Sequence, residues 1–494
     1  MRRSWLLAIA ILTTCSAATS QERVFSCEHY NLRDEKFDFS AITNKQNDFF
    51  IVSVMTDRSV KRYYSRNGHT SPLLEQHISA VTPDSKFRYH GMVDSRLLRN
   101  YSRLRFAGGI YLDKKIIELK RKRQGPEIYL IETDLETGSI TITDSLNASS
   151  KEEIIECFEI DKKFHFVTFQ NITNKVRIYR KDGDSLHFKE LRIEYNDESG
   201  KKRPLVLKRK DFNVYGNNQR YPLTSGGKSE KAFVYDDQLI ITYPGENGIG
   251  YVAILDVAAG TYHAKRFSPN ENEISQEKYN ALYVVDSLLV SASAGKKQIR
   301  IRIFHLASGK QLYSTSVHEN NIDSLNASPI QRTGSFGNAG EISASDFSEF
   351  YLTIMKDELT VVAYRENDNI HLSLGAVYKL VTGRDVLNVL GLAGQSYLYN
   401  TTGDYYQYYM PGSDKAAVRS HTSFDLALSG TEFNPRKRAA NFSVWDQMAT
   451  FIKNRNFSAT QYVHFYMNGF YYIGYFDAKA YKFYVHRFDE KGIE

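Results

Sequence analysis

The chain has 494 residues, of which 24% are charged, 42% hydrophobic and 13% aromatic. That is the composition of a folded globular protein, and it excludes a disordered or collagen-like chain. The formal net charge of +7 favours anionic partners over cationic ones.

The N-terminus reads as an export signal over residues 1–20. Met1-Arg2-Arg3 is basic, "WLLAIAIL" is apolar but too short to span a bilayer, and Ala18 and Ser20 occupy the small-residue positions of a cleavage site. A mature chain of residues 21–494 is therefore expected in the periplasm or outside the cell. "LTTC" at 12–15 is similar to a lipoprotein box, and a lipid anchor at Cys15 is the alternative, although Thr14 fits poorly before that cysteine. No later stretch is apolar and long enough for a transmembrane helix.

From there the chain alternates short apolar-patterned strands with polar turns. The clearest units are "AFVYDDQLIITY" (232–243) and "ALYVVDSLLVSA" (281–292), in which Asp237 aligns with Asp286 at an offset of 49. The later turns, Gly260 in "AILDVAAGTYHAK" and Gly309 in "RIFHLASGKQLYS", share that offset. Each unit thus reads strand, Asp turn, strand, loop, strand, Gly turn, strand. Weaker units carry first turns near Asp48, Asp113, Asp161, Asp346, Gly394 and Gly469, with second turns at Gly68, Gly138, Gly183 and Asn367 and in "MPGSD". A four-stranded antiparallel unit recurring about every 60 residues predicts an all-β fold, a single β-propeller. Eight blades fit the turns, with seven as the alternative. The last unit lacks a fourth strand, and "RVFSCEHY" at the start of the mature chain is expected to supply it and close the ring.

These repeats resemble exported bacterial β-propeller proteins in general. "DLETG" and "HLASGK" are similar to quinoprotein turns but lack their tryptophan, which argues against pyrroloquinoline quinone, and no other cofactor is expected. "FAGGIY" (106–111) is similar to half a kelch motif. The resemblance carries over no functional residue. Cys27 on the closing strand and Cys157 in the third unit would lie blades apart, so both are expected as free thiols.

Insertions near 196–231, 318–340 and 429–460 read as crossovers between blades, the last with a short amphipathic helix. "KRKRQGPE" (120–127) reads as a loop between second and third strands. All four should reach one face and make it basic through Lys120, Arg121, Lys122, Arg123, Lys201, Lys202, Arg203, Lys208, Arg209, Lys210, Arg436, Lys437 and Arg438. The expected partner is an anionic polysaccharide, a lipid headgroup or an acidic protein. Nucleic acid does not fit an exported chain.

Catalytic and metal motifs fail. "PLTSGGKS" has Pro222 where a phosphate loop needs glycine, His-Glu-x-x-His and Gly-x-Ser-x-Gly do not occur, and His69, His77 and His90 lack zinc spacing. No metal is expected. An alternative remains: a propeller hydrolase or lyase acting on polysaccharide through central-channel carboxylates; Glu156, Glu341, Asp385 and His464 lie on or near first strands, but register decides which face the channel, and no catalytic residue is assigned. The tyrosines of "DYYQYYM" (404–410) read as packing between blades. The sequons at Asn100, Asn147, Asn171, Asn326, Asn400, Asn441 and Asn456 matter only in a eukaryotic source.

Overall fold

In the computed structural model, the described residues are the strands between 21 and 93, most of 104–377, residues 421–436, the strands between 462 and 488, and the helical positions 444, 448 and 451. They form the all-β architecture of a β-propeller, in which antiparallel sheets of four strands succeed one another along the chain. The leader, the Gly394 turn and "DYYQYYM" lie outside the described residues. Two compact units divide the chain: residues 1–84 with 441–494, and residues 85–440.

The first unit holds two sheets. One runs Asp38–Thr43, Phe49–Met55, Val60–Arg66 and Gln76–Val81. In the other, Tyr462–Met467, Phe470–Asp477 and Lys482–Phe488 are completed by Gln21–Glu28, which pairs antiparallel with Lys482–Phe488. Tyr472, Ile473 and Val485 are fully buried in this sheet. Phe451 meets Tyr475 and Phe488 edge-on, with centroids 5.5 and 5.4 Å apart. Val444, Met448 and Phe451 are all buried. These three are helical positions spaced four and three residues apart.

Among the described residues, the second unit holds five sheets of four or more strands and one two-stranded hairpin. The 104–147 sheet begins with Leu104–Leu112, and the 152–192 sheet runs Glu152–Ile160, Lys163–Gln170, Lys175–Asp182 and Ser185–Arg192. The 230–267 sheet runs Glu230–Tyr235, Gln238–Pro244, Gly250–Asp256 and Thr261–Phe267, and the 279–317 sheet follows the same order. The fifth contains Glu358–Glu366, Asn369–Val377 and His421–Ser429. First strands of successive sheets touch: Leu104–Leu112 meets Glu152–Ile160, and Tyr279–Val285 meets both Glu230–Tyr235 and Glu358–Glu366. Alternation sends each strand's residues to opposite neighbours. Ile154, Cys157, Phe164 and Phe166 pack toward the 104–147 sheet, while Ile155, Phe158, Val167 and Phe169 pack toward the 230–267 sheet. Phe166 stacks on Tyr179 at 4.4 Å.

The turns follow from their residues. Asp113-Lys114 and Asp161-Lys162 have positive φ at both positions, the two-residue hairpin that matches strand twist. In the best repeat, Asp236 rather than Asp237 takes the left-handed position that Asp286 takes in the next sheet, at φ 50° and 49°. The equivalence of Gly260 and Gly309 holds, at φ 62° and 76°. Two lysines at the same place in successive fourth strands clasp the turns ahead of them: Lys189 Nζ donates to the Ala259 carbonyl at 3.5 Å, and Lys265 Nζ donates to that of Ala307.

Three sequence expectations change. The segment after Asp346 is a helix, Phe347–Lys356, and the first turn of that sheet is Asn367-Asp368. Phe347, Phe350 and Ile354 recur at helical spacing and are buried, so period 3.6 wins over period 2. The 318–340 insertion is not only a crossover, because Ile330–Thr333 pairs with His421–Ser429 as an outer strand of the next sheet. The 196–231 insertion is partly strand: Phe212–Gly216 lies parallel to Glu230–Tyr235 and covers that sheet's first-strand edge.

A hairpin cleft as candidate functional site

Of the thirteen basic residues, the seven that fall among the described residues do not share one exposed face. Lys120 and Arg121 are not loop residues but lie within the strand Lys115–Lys122 and are buried. Lys120 sits 3.6 Å from Glu118 on the same strand face, and Arg121 3.6 Å from Glu153 of the next sheet. Alternating opposite charges two residues apart let a charged strand enter the interior, which is why the run is not a solvated loop. Lys122 ends that strand. Arg123, Lys208, Arg209, Lys210, Lys437 and Arg438 lie outside the described residues. Arg436 is exposed, but its short strand pairs with Ala427 and Leu428 near the Asn367-Asp368 turn. It therefore sits at the tight-turn end of its sheet, away from the crossover end. Lys201, Lys202 and Arg203 are exposed at a crossover end, where they follow the fourth strand Ser185–Arg192.

These three belong to a hairpin of Glu194–Asn196 and Lys202–Pro204. Its loop is organised by Asp197, whose carboxylate accepts from Ser199 N–H at 3.0 Å, Ser199 Oγ at 2.7 Å, Lys201 N–H at 2.9 Å and Arg203 Nε at 2.8 Å. Those donors, the Ser199 hydroxyl first and then Arg203, hold the Asp197 carboxyl well below the usual range. Buried Ile193 and the Tyr195 ring fasten the hairpin to the 230–267 sheet. Tyr195 lies 4.1 Å from the Tyr251 ring and 6.0 Å from that of Tyr243. Glu194 N–H donates to the Tyr262 hydroxyl at 3.2 Å.

Between hairpin and fourth strand Thr261–Phe267 lies a cleft of about 340 Å³, lined by Glu194, Tyr195, Asn196, Lys202, Tyr262, His263 and Ala264. Its volume is at the lower end of small-molecule sites. Arg203 is engaged with Asp197, whereas the side chains of Lys202, Glu194, Asn196 and His263 have no partner among the described residues. Tyr262 accepts a bond from the backbone and keeps its own O–H to donate. The cleft thus offers one ammonium, one carboxylate, an amide, an imidazole and two phenol rings. Lys202 alone was legible in the sequence. Tyr262 and His263 are about sixty residues away and arrive only through packing, so their spacing gave no signal.

Of the four residues considered for chemistry, three fall among the described residues. Glu156 lies on the first strand Glu152–Ile160, at a bulge that shifts the register between Ile154 and Glu156. Burial pushes its carboxyl up to about 7, against the bond that it accepts from Cys157 N–H at 2.8 Å. A second bulge lies beside it between Phe106 and Gly108, where a Cβ on Gly108 would come 2.7 Å from Cys157 Sγ. Glu341 is on the short strand Ala339–Ile342, at the edge of its sheet farthest from the first strand, and so was misplaced. Asp385 lies outside the described residues, and His464 is on the first strand Tyr462–Met467. Nearby, Phe212–Gly216 and Tyr221 fill the first-strand edge of the 230–267 sheet with an aromatic cluster. Tyr215 sits 5.1 Å from Phe233, 5.4 Å from Tyr283 and 5.0 Å from Tyr221. Cys157 is buried and free, its thiol raised well above 9.0 by burial and by Glu156. Among the described residues no His, Cys, Asp and Glu cluster could hold a metal, and no helix is long and apolar enough to cross a membrane.

No family model and no curated protein matches this sequence. Solved structures that align with it include the WD40 domain of SCAP from fission yeast, at 9% identity over 95% of this chain and 98% of that one, with a TM-score of 0.35. The Dos1 propeller aligns at 10% identity over 82% and 94%, with a TM-score of 0.30. The β-propeller domain of the Trilobed protease from Pyrococcus furiosus aligns at 9% identity over 69% and 78%, with a TM-score of 0.29.

Proposed function

We propose that this chain is an exported, non-catalytic binding protein that holds an anionic glycan in the cleft between the 194–204 hairpin and the strand Thr261–Phe267. The observation that carries the reading is the set of polar side chains around Lys202 that have no partner within the described protein. Unpaired donors and acceptors beside aromatic rings suit a hydroxylated ligand with a negative charge. The net charge of +7 favours an anionic ligand over a cationic one. The 1–20 leader delivers the chain to the periplasm or the cell exterior.

The test is an array of anionic and neutral glycans, anionic lipids and acidic peptides, probed with residues 21–494 and with Lys202→Glu. Selective glycan binding that the variant weakens tenfold or more supports the reading, because a charge-assisted hydrogen bond is worth roughly 1.5–3 kcal/mol. Binding to lipid or peptide alone, or binding that Lys202→Glu leaves unchanged, overturns it.

A second reading, a polysaccharide hydrolase or lyase, rests on Glu156, a first-strand carboxyl at a bulge that is held near neutrality. Cleavage of a bound polysaccharide by the wild type but not by Glu156→Gln would favour it.

A further inference from the structure

The cleft's own charges narrow the ligand further. Lys202 is the only lysine or arginine among its lining residues, and Glu194 lines the same space. A sugar carrying two or more negative charges per residue, as multiple sulfates or a dianionic phosphate, would place part of that charge against the Glu194 carboxylate. A sugar carrying one carboxylate per residue would not, because its hydroxyls can donate to Glu194 while its carboxylate meets Lys202. Asn196 and the Tyr262 O–H supply further donors, and the Tyr262 ring offers an apolar face for the sugar's C–H surface. Building on the anionic-glycan reading above, we propose that the ligand is a uronic acid residue of a polysaccharide. Lys202 takes the carboxylate, Glu194 takes hydroxyl protons, and Tyr262 supports the ring.

The experiment compares three probes on the full mature chain by calorimetry: an oligogalacturonate, its carboxyl-reduced neutral counterpart, and a sulfated galactan of similar length with two sulfates per residue. The wild type should bind the oligogalacturonate about tenfold or more tightly than either of the others. Lys202→Gln should remove that preference while keeping the weak neutral binding. Lys201→Gln, which alters an exposed neighbour outside the cleft lining, should keep the preference for the oligogalacturonate over its reduced counterpart. Glu194→Gln should strengthen binding of the sulfated galactan. Tighter binding of the sulfated galactan by the wild type would overturn the uronate assignment and leave the anionic-glycan reading standing. Equal binding of the oligogalacturonate and its reduced counterpart would overturn both, because the carboxylate would then count for nothing.

Discussion

Replacing Glu156 by glutamine should make this protein more stable at neutral pH and leave it unchanged in acid. The carboxyl sits at a bulge on a first strand, and burial raises it from the ordinary 4.5 to about 7. The folded state therefore binds its proton more tightly than the unfolded state. The associated stability is fully present below pH 4.5 and is lost as pH rises through 7. With 1.36 kcal/mol for each pH unit of displacement, the wild type forfeits up to about 3 kcal/mol between pH 4.5 and 8. Glutamine is neutral throughout and keeps an acceptor for the Cys157 N–H, which now bonds Glu156 Oε1 at 2.8 Å. Urea unfolding of both proteins at half-unit steps across that range is the assay. The two stabilities should agree below pH 4.5, diverge in the variant's favour from there to about pH 7, and differ by a constant amount above it. A difference that does not vary with pH would refute the burial argument.

Further expectations follow from buried polar groups. Arg302 is fully buried, with Nη1 and Nη2 donating to Glu277 at 3.0 and 2.6 Å. Glu277→Ala should cost about 3–5 kcal/mol by stranding Arg302, and Arg302→Ala should cost less because Arg300 Nη1 stays 3.6 Å from Glu277, as chemical denaturation of both variants and the wild type checks. Phe166→Ala, which removes a fully buried ring stacked on Tyr179, should lower stability by about 3–5 kcal/mol in the same assay. The Cys157 thiol, buried and raised well above its ordinary value, should resist alkylation in the native protein and react on unfolding, as read by mass spectrometry of its peptide.

The sequence revealed the repeat because a strand period of two and its turn residues are local properties. Asp113, Asp161, Asp286, Gly183, Gly260 and Gly309 all take the left-handed turns expected at such positions. "FYLTIMK" misled because its apolar residues fit both periods, and only the spacing of Phe347, Phe350 and Ile354 separates helix from strand. The Lys120–Arg123 run misled for a different reason. Charge reads as solvent exposure until a partner is known, and Glu118 and Glu153 become partners only through strand pleating and sheet packing. The same limit hid most of the cleft. Lys202 stands out in a basic run, but Tyr262 and His263 are ordinary strand residues until the hairpin folds against them.

The binding claim is tested most directly by locating the ligand. A photoreactive oligogalacturonate would be crosslinked to residues 21–494 and the modified peptides identified by mass spectrometry. The account predicts modification within Glu194–Arg203 and Tyr262–Ala264, suppressed by excess unlabelled ligand and weakened in Lys202→Glu. Competable crosslinks confined to the strand Glu152–Ile160 around Glu156, with none on the hairpin, would contradict it.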